Sequence, residues 1–552
     1  MQYEKKKRTR GRHRNFPQQM VGLTLALRHC ARNNTVLNLL SAPNFGLTVS
    51  PKTSLLLETM IANAMTKIVE KEGVYIPPNM KRGNRVSFHI DNFDEQVETF
   101  DGKNTVHYLL IVGFQRSCGV YEPLELTLEK TSSLKLNDDS FADLLTCDEV
   151  SNRQFQRTPG CKDVTCSSGY GKCRSPSMFA WSVLRSLEHL MVVDDEAMYI
   201  SRGTEEISTV ENTIFEGWSL ESLCLPSFGA TNSLVTEVDT TLTNIFALPF
   251  VAGPASSISA VYTALDIAFK TSNAIKEPLS GNSLYGGATT EVLTANEVHN
   301  QDAQEYFSAN VPTRTLEPPP LWKTIIVLDL DLYAKAYKLV NSRNDLRNRY
   351  VLCLGELHIV FAEIRAIGTF INSSGIDDAW MAAEWFDSES LLRQVRECSN
   401  MKRALAAHEA TLVAVNILIL QEAMRWFKDN NWCNEEMINA ISKARDVIKN
   451  NDWHSGNFKE SWDQFKRYLI DIKLQEKIDE FVTLNKSNRL LQFLVKYSQM
   501  VIRSFTFIEA TRSRNWELHL DALEDMMADF GSMDRINYRR YSATYIADMR
   551  HL

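Results

Sequence analysis

The sequence predicts an α/β fold in which a mixed sheet is interrupted by a large α-helical insertion and preceded by N-terminal helices. Residues 81–130 follow the two-residue apolar period of strands, which is typical of a hairpin and a third strand. After residue 321, two apolar strands each run directly into a helix, which favours parallel pairing. Residues 361–510 show the three-and-four spacing of helices almost throughout, and they form the predicted insertion.

The bulk composition is that of a soluble globular protein. The chain has 552 residues, of which 44% are hydrophobic and 23% are charged, so it is long enough for roughly two to four domains with a large core. Its longest apolar run, near Leu412 to Leu420, is too short to span a bilayer, and no signal peptide is evident behind the basic N-terminus. We therefore expect an intracellular protein with no membrane partner.

Charge is distributed unevenly along the chain. Seven of the first 14 residues are Lys or Arg and one is Glu, which gives +6, so the other residues must carry −14 to reach the total of −8. A basic arm (residues 1–17) on an acidic body indicates a nuclear import signal or a tail that binds nucleic-acid phosphates; a solvated terminus without a specific role is the alternative. The nucleus is the expected location, with the cytoplasm as the alternative. The candidate phosphate-binding residues are Lys5, Lys6, Lys7, Arg8, Arg10, Arg12 and Arg14.

Ten cysteines are scattered along the chain, which is typical of reduced thiols rather than of a disulfide framework. Four of them lie in a polar, Gly/Ser-rich segment, but their spacing does not form two C-x2-4-C pairs. A surface insertion is therefore favoured over a structural zinc site in this segment. The four residues are Cys147, Cys161, Cys166 and Cys173.

The N-terminal region, residues 18–80, is predicted to be helical. In "SPKTSLLLETMIANAMTKIVEKEG", Ser50 is a candidate N-cap with a proline behind it, and Gly73 follows the last turn. Residues 81–130 then begin the sheet with the successive strands "RVSFHID", "VHYLLIVGFQ" and "YEPLELTLEK", of which the first two are joined by the turn "DGKN". Asp91 is predicted to end the first strand.

The second part of the sheet follows a long insertion. Residues 131–320 contain few periodic segments and are predicted to be a variable, partly ordered insertion. Residues 321–360 supply "KTIIVLDLDLYAKAYKLV" and "VLCLGELHIVF", with Asp329 at the first junction between strand and helix. The helical insertion, residues 361–510, separates this part from a C-terminal helix at residues 511–552 that completes the core.

The predicted order is that of an RNase H-like fold: three antiparallel strands are followed by crossover strands, with one Asp at the end of the first strand and another at the end of a later one. In two-metal phosphoryl transfer, two Mg²⁺ ions about 4 Å apart need carboxylates from neighbouring strand ends and one more from a helix. Asp91 and Asp329 fit the first two positions. Glu517 in "RNWELHLDALEDMM" is the best helix acid, with Asp534 and Glu409 as alternatives. Acids at strand ends also serve as helix caps and turn formers, so the pattern alone leaves both interpretations open.

Several stretches resemble a group of uncharacterised animal proteins that are abundant in cnidarians and derive from mobile elements. They cover most of the chain outside residues 131–320 and are "FPQQMVGLTLALRHCARNN", "GVYIPPNMKRGNRVSFHIDN", "HIDNFDEQVETFDGKNTVHYLLIVGFQ", "VLDLDLYAKA", "LGELHIVFAEIRAIGTFINSSGIDDAW", "KRALAAHEATLVA" and "NWELHLDALEDMMADFGSMDRINYRRYSATYIADM". The group's Asp-x-x-Leu-Tyr motif maps onto Asp329 rather than Asp331. Its Asp-Asn-x-Asp motif with the following Gly and Thr-x-His maps onto Asp91, Asn92, Asp94, Gly102, Thr105 and His107.

A more distant similarity is to hAT-type cut-and-paste transposases. In both, the strand after the second Asp leads to a Cys and a His at a helix start, here Cys353 and His358, and a large helical insertion precedes the helix with the final Glu. This chain departs from that pattern in the wider spacing between the Cys and the His and in lacking an evident BED-type zinc finger at the N-terminus.

The resemblance implies metal-dependent DNA cleavage and strand transfer, with water or a DNA 3′-hydroxyl as the nucleophile. Asp91, Asp329 and Glu517 would hold two Mg²⁺ or Mn²⁺ ions, and no small-molecule cofactor is implied. DNA would be the partner, and a homo-oligomer is compatible with this activity. The residues expected to support the carboxylates are Asn92, Asp94, His107 and His358.

Alternatives remain at each level. His107 is equally compatible with an exposed strand residue and His358 with a helix cap or a core residue, whereas Glu95, Glu98 and Asp101 are expected to form a solvated turn. An inactive or domesticated derivative would serve as a DNA- or protein-binding scaffold, and a nuclease would cut without joining. Chains of the resembled group often extend further, so the sequence is also compatible with a truncated copy.

Overall fold

A computed structural model gives the structure of the chain. It describes residues 23–24, 34–42, 47–77, 79–81, 83–96, 105–116, 174–192, 227–235, 243–275, 323–431 and 458–551. The described residues belong to two compact units. The first unit takes those within Met1–Phe155, Thr241–Ile326 and Lys335–Val351, and the second takes those within Gln156–Thr240, Val327–Ala334 and Leu352–Leu552.

The described elements comprise six strands and sixteen helices. The strands are β1 (Val86–Gln96), β2 (Thr105–Arg116), β3 (Thr243–Ala247), β4 (Val251–Ala252), β5 (Thr324–Leu328) and β6 (Tyr350–Leu354). The helices are α1 (Asn34–Ser41), α2 (Pro51–Glu72), α3 (Pro176–Val192), α4 (Phe228–Val235), α5 (Ile258–Ala274), α6 (Leu330–Ser342), α7 (Asn344–Arg347), α8 (Glu356–Ile371), α9 (Ile376–Ala382), α10 (Glu389–Arg396), α11 (Met401–Asp429), α12 (Phe458–Asp471), α13 (Leu474–Leu484), α14 (Arg489–Ser513), α15 (Trp516–Ser532) and α16 (Ile536–Arg550).

Helix α2 begins and ends where its capping residues predict. The Ser50 hydroxyl accepts a hydrogen bond from the backbone N–H of Thr53 at 3.2 Å, and Pro51 occupies the first helical position. At the other end, Gly73 adopts a φ of 69°, and its N–H donates to the carbonyl of Val69 at 2.8 Å. The predicted boundaries of this helix are confirmed.

Strands β1 and β2 form the predicted antiparallel hairpin, but β1 is longer than predicted. Ladder pairing extends from Val86 opposite Gln115 to Gln96 opposite Thr105. The prediction that Asp91 ends the first strand is therefore wrong. Pairing with β2 continues for five residues beyond Asp91, because β2 is long enough to give each of these residues a backbone partner.

The other edge of β2 pairs with a strand that the sequence did not predict. β3 runs antiparallel to β2, with Gly113 opposite Phe246, and β4 adds two more pairs to β2. A side chain at Gly113 would overlap the Phe246 ring, which explains why glycine occupies this position. β3 lies within the predicted insertion of residues 131–320, whereas the predicted third strand at residues 121–130 lies outside the described residues.

Gln115 attaches the connection between α2 and β1 to the end of β2. Its side chain is fully buried; the carboxamide oxygen accepts the N–H of Lys81 at 2.7 Å. Its amide nitrogen donates to the carbonyls of Lys81 at 2.6 Å and Asn84 at 3.1 Å. One buried side chain thus satisfies three backbone groups of a segment that forms no strand.

The sheet has the strand order β3-β2-β1-β5-β6, with β4 beside β2. Two hydrogen bonds give the direction of the last pair. The N–H of Thr324, the first residue of β5, donates to the carbonyl of Arg349, the residue before β6, at 2.7 Å. The N–H of Gly355, the residue after β6, donates to the carbonyl of Leu328, the last residue of β5, at 2.7 Å. β5 and β6 are therefore parallel, and α6 and α7 form the crossover between them. The predicted mixed α/β class and mixed sheet are confirmed.

The second unit is mainly helical, as predicted for most of residues 361–552. α14 contacts α3, α8, α11, α13 and α15, so it is the central helix of this unit. Trp462, Phe465 and Leu469 are buried and form the core face of α12. Residues 432–457 lie outside the described part of the insertion.

Four ionisable side chains meet in the core of this unit, and we call them the buried charge cluster. Asp529 is fully buried and forms ion pairs with Lys496 and with Arg503, the latter at 2.6 Å. Glu363 on α8 is also fully buried and interacts with Asp529. Burial and then the charge of Asp529 raise the pKa of Glu363 well above its ordinary value, which favours its neutral form.

α11 is long and apolar enough to cross a membrane by length and composition alone. In this structure α11 packs against α3 and α14 within the second unit. It buries Leu412, Leu420 and Phe427 together with His408. The core helix of a folded domain has the same length and composition.

Candidate functional site

Asp329 follows β5 directly and acts as the N-cap of α6. Its Oδ1 accepts the backbone N–H of Leu332 at 2.7 Å, and its carbonyl accepts the N–H of Tyr333 at 2.8 Å. A carboxylate at this position also interacts favourably with the positive end of the helix dipole. The sequence predicted Asp329 at this junction, and the structure gives it a local role in starting the helix.

The end of β6 lies beside the end of β5. A side chain at Gly355 would place its Cβ 3.2 Å from the carbonyl oxygen of Leu328 and 3.4 Å from Cδ2 of His358. His358 is half-buried in the first turn of α8, and its ring contacts Phe361 edge-on with 6.1 Å between centroids. The predicted supporting residue His358 therefore lies close to Leu328, the residue before Asp329.

Cys353 and Glu356 lie next to these strand ends, where Cys353 is buried and Glu356 is half-buried. Burial raises the pKa of the Cys353 thiol to about 12, with the nearby Glu356 carboxylate adding to the effect. Burial likewise raises the pKa of Glu356. A thiol with this pKa is protonated at neutral pH, so Cys353 is not an activated nucleophile.

Helix α16 packs over the same region through tyrosines. Tyr545 hydrogen-bonds to Cys353, and Tyr333 of α6 contacts the rings of Tyr541 and Tyr545 with centroids 6.0 and 6.4 Å apart. Burial raises the pKa of Tyr538, and the charge of Asp329 raises it further. α16 therefore brings aromatic hydroxyl groups to the ends of β5 and β6.

Two arginines complete the surroundings of Tyr538. Arg365 on α8 and Arg535 before α16 both lower the pKa of Tyr538, against the effect of Asp329. Arg365 is exposed, as are Arg539 and Arg540 one turn along α16. Arginine guanidinium groups suit the binding of phosphate oxygens, so this surface could hold a nucleic-acid backbone. We call the whole region the strand-end site, and its residues are Asp329, Cys353, Glu356, His358, Arg365, Arg535, Tyr538 and Tyr545.

Glu517 is exposed in the first turn of α15. Asn515 caps this helix by accepting the N–H of Leu518 at 3.1 Å. The neighbouring Trp516 is 45% exposed and stacks on His519 with 5.3 Å between ring centroids and 4° between planes. The rings of Trp516 and His519 also contact the ring of Tyr545 in the strand-end site, with centroids 6.5 and 6.4 Å apart, respectively. The start of α15 and the end of β6 thus contact the same tyrosine.

The two alternative helix acids have different surroundings. Glu409 on α11 accepts the backbone N–H of Phe228 at 2.9 Å, and burial raises its pKa. Its carboxylate therefore holds α4 against α11. Asp534 is exposed between α15 and α16 with a φ of 58°. This connection between α15 and α16 requires a positive φ at position 534, which a small polar residue such as Asp tolerates better than most others.

The hairpin residues of the candidate site belong to the first unit. Asp91 and Asn92 are exposed, and Oδ1 of Asp91 accepts the N–H of Asn92 at 2.8 Å. The backbone register places Asp94 opposite His107, and it places Asp91 opposite Leu110. His107 is exposed and lies three positions along β2 from the residue opposite Asp91, so it pairs with Asp94 in register rather than with Asp91.

Several predicted residues lie outside the described residues. These are the basic arm with Lys5, Lys6, Lys7, Arg8, Arg10, Arg12 and Arg14, the cysteines Cys147, Cys161, Cys166 and Cys173, and the turn residues Glu98 and Asp101. Within the described ranges, no group of three or more His, Cys, Asp or Glu side chains is arranged to hold a metal ion.

A family model described as "Domain of unknown function (DUF8702)" matches residues 317–552. The matched region begins just before β5 and contains every residue of the strand-end site as well as Glu517, whereas Asp91 lies outside it. No curated protein and no solved structure matches the chain.

Proposed function

We propose that this chain is a transposase-type protein that cleaves and joins DNA strands on an RNase H-like core, with Asp91, Asp329 and Glu517 as its carboxylates. The order of the strands carries the proposal. Antiparallel strands β1, β2 and β3 are followed by the parallel crossover strands β5 and β6, which is the order expected of that fold. Asp91 lies on the first strand and Asp329 directly follows β5.

The strand-end site supports the choice of a nucleic-acid substrate. The exposed Arg365, Arg539 and Arg540 can bind backbone phosphates, and the half-exposed Trp516 offers a flat aromatic surface next to Glu517. A proposed DNA partner is consistent with this chemistry, even though the body of the chain is acidic overall.

The donor chemistry of the three acids fits Mg²⁺ or Mn²⁺, because carboxylate oxygens are the ligands that hard cations prefer. Their arrangement does not support a preformed metal site. Oδ1 of Asp91 and Oδ1 of Asp329 each accept a backbone N–H, and the part of the chain that the structure describes contains no group of three potential ligands. The proposal of two metal ions is therefore supported only by the chemistry of these three residue types.

This arrangement favours a second candidate function, a catalytically inactive derivative that binds DNA or protein as a scaffold. In a scaffold, Asp91 needs only its bond to the next residue and Asp329 needs only its role as a cap. The arginines of the strand-end site would keep their role in binding phosphates.

A cleavage assay with purified full-length protein separates the two functions. The substrate is supercoiled plasmid DNA with Mg²⁺ or Mn²⁺, and binding is followed by fluorescence anisotropy of a labelled duplex. We expect Asp91→Asn, Asp329→Asn and Glu517→Gln each to reduce strand cleavage by about a hundredfold or more while leaving binding nearly unchanged. Asn is as good a helix cap as Asp, so Asp329→Asn changes the charge without loss of the cap.

Asp331→Asn is the matched control, because Asp331 is an exposed acid on the first turn of α6. It should cleave like the wild type. Wild-type protein that binds DNA but cleaves it with neither metal ion would support the scaffold. Cleavage that survives all three substitutions would rule out the proposed carboxylates.

A further inference from the structure

The crossover between β5 and β6 is strongly basic, in contrast to the chain as a whole. Residues 335–349 contain five Lys or Arg and one Asp, which gives +4, whereas the complete chain carries −8. This segment belongs to the first unit and contributes no residue to the strand-end site. Like charges at short range repel one another, so an anionic partner is the first interpretation to test for such a local excess.

Two arginines of the crossover share one carboxylate. Nη2 of Arg343 lies 3.0 Å from Oδ2 of Asp345, and Nη2 of Arg349 lies 3.6 Å from the same oxygen. Nε of Arg343 adds a second hydrogen bond to Oδ1 at 3.1 Å. The side chains of Arg343 and Arg349 are 43% and 35% exposed, respectively. A single acid thus positions two cations but neutralises only one positive charge.

Aromatic rings of α5 hold the same two guanidinium groups. That of Arg343 lies over the ring of Tyr262, 5.6 Å from its centroid, and that of Arg349 lies over the ring of Phe269 at 5.0 Å. Stacking on a ring fixes the position of a guanidinium group without cancelling its charge. These two arginines are therefore held in place while the surface around them stays positive.

Two further cations extend this surface. Arg347 is exposed, and its Nη2 donates to the backbone carbonyl of Asn341 at 3.1 Å, a bond to a neutral group. Lys323 is exposed and precedes Thr324, whose N–H donates to the carbonyl of Arg349 at 2.7 Å. Four positive charges and the one negative charge of Asp345 leave +3. We call the four basic residues the crossover basic surface, and they are Lys323, Arg343, Arg347 and Arg349.

Phosphate groups in a row are the anions that fit this surface best. A planar guanidinium group can bind two phosphate oxygens at once, and three of the four cations are arginines. A membrane surface would require apolar side chains beside the cations. Within the described residues, none of the exposed large apolar side chains falls between residues 323 and 351. A nucleic-acid backbone needs only the positive charge.

We propose that the crossover basic surface binds the phosphate backbone of duplex DNA, through residues other than those of the strand-end site. The choice of DNA rests on the proposed function, but the location of this contact does not depend on the three proposed carboxylates. Phosphate contacts carry no sequence information, so this surface would hold DNA in place rather than select its sequence.

The test measures the binding of the full-length protein to a labelled DNA duplex by fluorescence anisotropy, at several salt concentrations and in EDTA so that no cleavage intervenes. The double variant Arg343→Gln/Arg347→Gln should weaken binding by about tenfold. It should also reduce the slope of log K against log salt concentration by roughly two, because each lost phosphate contact contributes about 0.9 to that slope.

Arg393→Gln/Arg467→Gln is the matched control, since it removes the same charge from two exposed arginines elsewhere. Like Arg343, Arg393 pairs with a nearby acid, Glu397, at 3.9 Å. Like Arg347, Arg467 donates to a backbone carbonyl, that of Asp463 at 3.3 Å. The control should bind DNA nearly like the wild type and keep its salt slope.

Asp345→Asn tests the same surface in the opposite direction. It removes the one acid that repels phosphate and frees both arginines from their ion pair, so binding should become about threefold tighter. Asp378→Asn, which changes an exposed acid in the first turn of α9, is the control and should leave binding unchanged. A variant that merely damaged the fold would not tighten binding.

The outcomes separate this inference from the proposed function. Equal binding and equal salt slopes for the wild type and Arg343→Gln/Arg347→Gln would overturn the inference and leave the proposed function standing. Weakened binding by this variant would support the inference even if cleavage survived all three carboxylate substitutions. Wild-type protein that does not bind DNA would overturn both.

Two further results also decide. Tighter binding of a duplex RNA of the same sequence, weakened by Arg343→Gln/Arg347→Gln, would assign the surface to RNA and overturn the choice of DNA. If the double variant fails to fold by circular dichroism, the comparison of Asp345→Asn with Asp378→Asn takes its place, and unchanged binding by Asp345→Asn would then count against the inference.

Discussion

Carboxylates are held in opposite ways in the hairpin of the first unit and in the core of the second. Asp91 is exposed and bonds only locally, to the N–H of Asn92 at 2.8 Å. Asp529 is fully buried, and its two oxygens pair with Lys496 and Arg503. A buried carboxylate must be paired to be tolerated, whereas an exposed one is free to serve a substrate. The acids of the buried charge cluster are therefore confined to interactions within the core, whereas the Asp91 carboxylate is accessible from solvent.

The largest effect should come from Asp529→Ala. Removal of this carboxylate takes away the partner of Arg503 and of the partly exposed Lys496 and leaves only Glu363 to ionise beside them, which we expect to cost about 3 kcal/mol. Urea denaturation of the full-length protein, monitored by the helical signal in circular dichroism, measures this loss in the free energy of unfolding. A loss below about 1 kcal/mol would show that water reaches the cluster.

Gly368→Ala should have the next largest effect and lower the free energy of unfolding by about 1–3 kcal/mol. A Cβ at Gly368 in α8 would overlap the backbone of Arg396 at the end of α10, and two packed helices cannot separate cheaply. At Gly113 in the first unit, the nearest atoms to an added Cβ belong to the buried ring of Phe246, and a shift of one side chain is a smaller change than the separation of two helices. The cost of Gly113→Ala should therefore be smaller, and equal costs in the same urea experiment would contradict this distinction.

Glu363→Gln should have a smaller effect that depends on pH. Because the folded state raises the pKa of Glu363, it keeps a proton that the unfolded chain releases above about pH 4.3. This contribution to stability is complete below that pH and is lost as the pH rises through the folded-state pKa. The unfolding free energy of the wild type should fall with rising pH in this window, and Glu363→Gln should flatten the slope. An unchanged slope would show that another group titrates there.

The smallest effects should distinguish the two candidate catalytic aspartates. Asp329→Ala removes the cap of α6 and should cost about 1 kcal/mol, while Asp329→Asn should be nearly neutral. Asp91→Ala should change stability by less than about 0.5 kcal/mol, because the side chain is exposed. Thermal denaturation of the three variants checks this order. A large loss for Asp91→Ala would mean that its bond to Asn92 shapes the hairpin.

Local signals in the sequence predicted the elements that depend on neighbouring residues. Ser50 and Gly73 fixed the ends of α2, and the change of period at Asp329 located the junction of β5 and α6. These features depend on backbone geometry within one or two turns, so the residue types suffice to find them.

Features that depend on distant contacts were missed. β3 is a five-residue strand within a segment of weak pattern, and only its pairing with β2 identifies it. Tyr538 and Arg365 are far apart in sequence, and packing of α16 brings them to Asp329. The interleaved basic and aromatic residues of "RINYRRY" were the available signal for this surface. The extension of β1 beyond Asp91 escaped prediction because polar residues there suggested a turn.

Gln115 makes the hairpin depend on a single alignment of its strands. Successive side chains of a strand point to opposite faces, so a slip of one residue would put Phe114 or Arg116 in the place of Gln115. Neither side chain can accept one hydrogen bond and donate two to the segment around Lys81 and Asn84. The three hydrogen bonds of Gln115 to this segment are therefore compatible only with the native register of β1 and β2, so this one buried amide couples the position of the chain leading from α2 to the alignment of the hairpin.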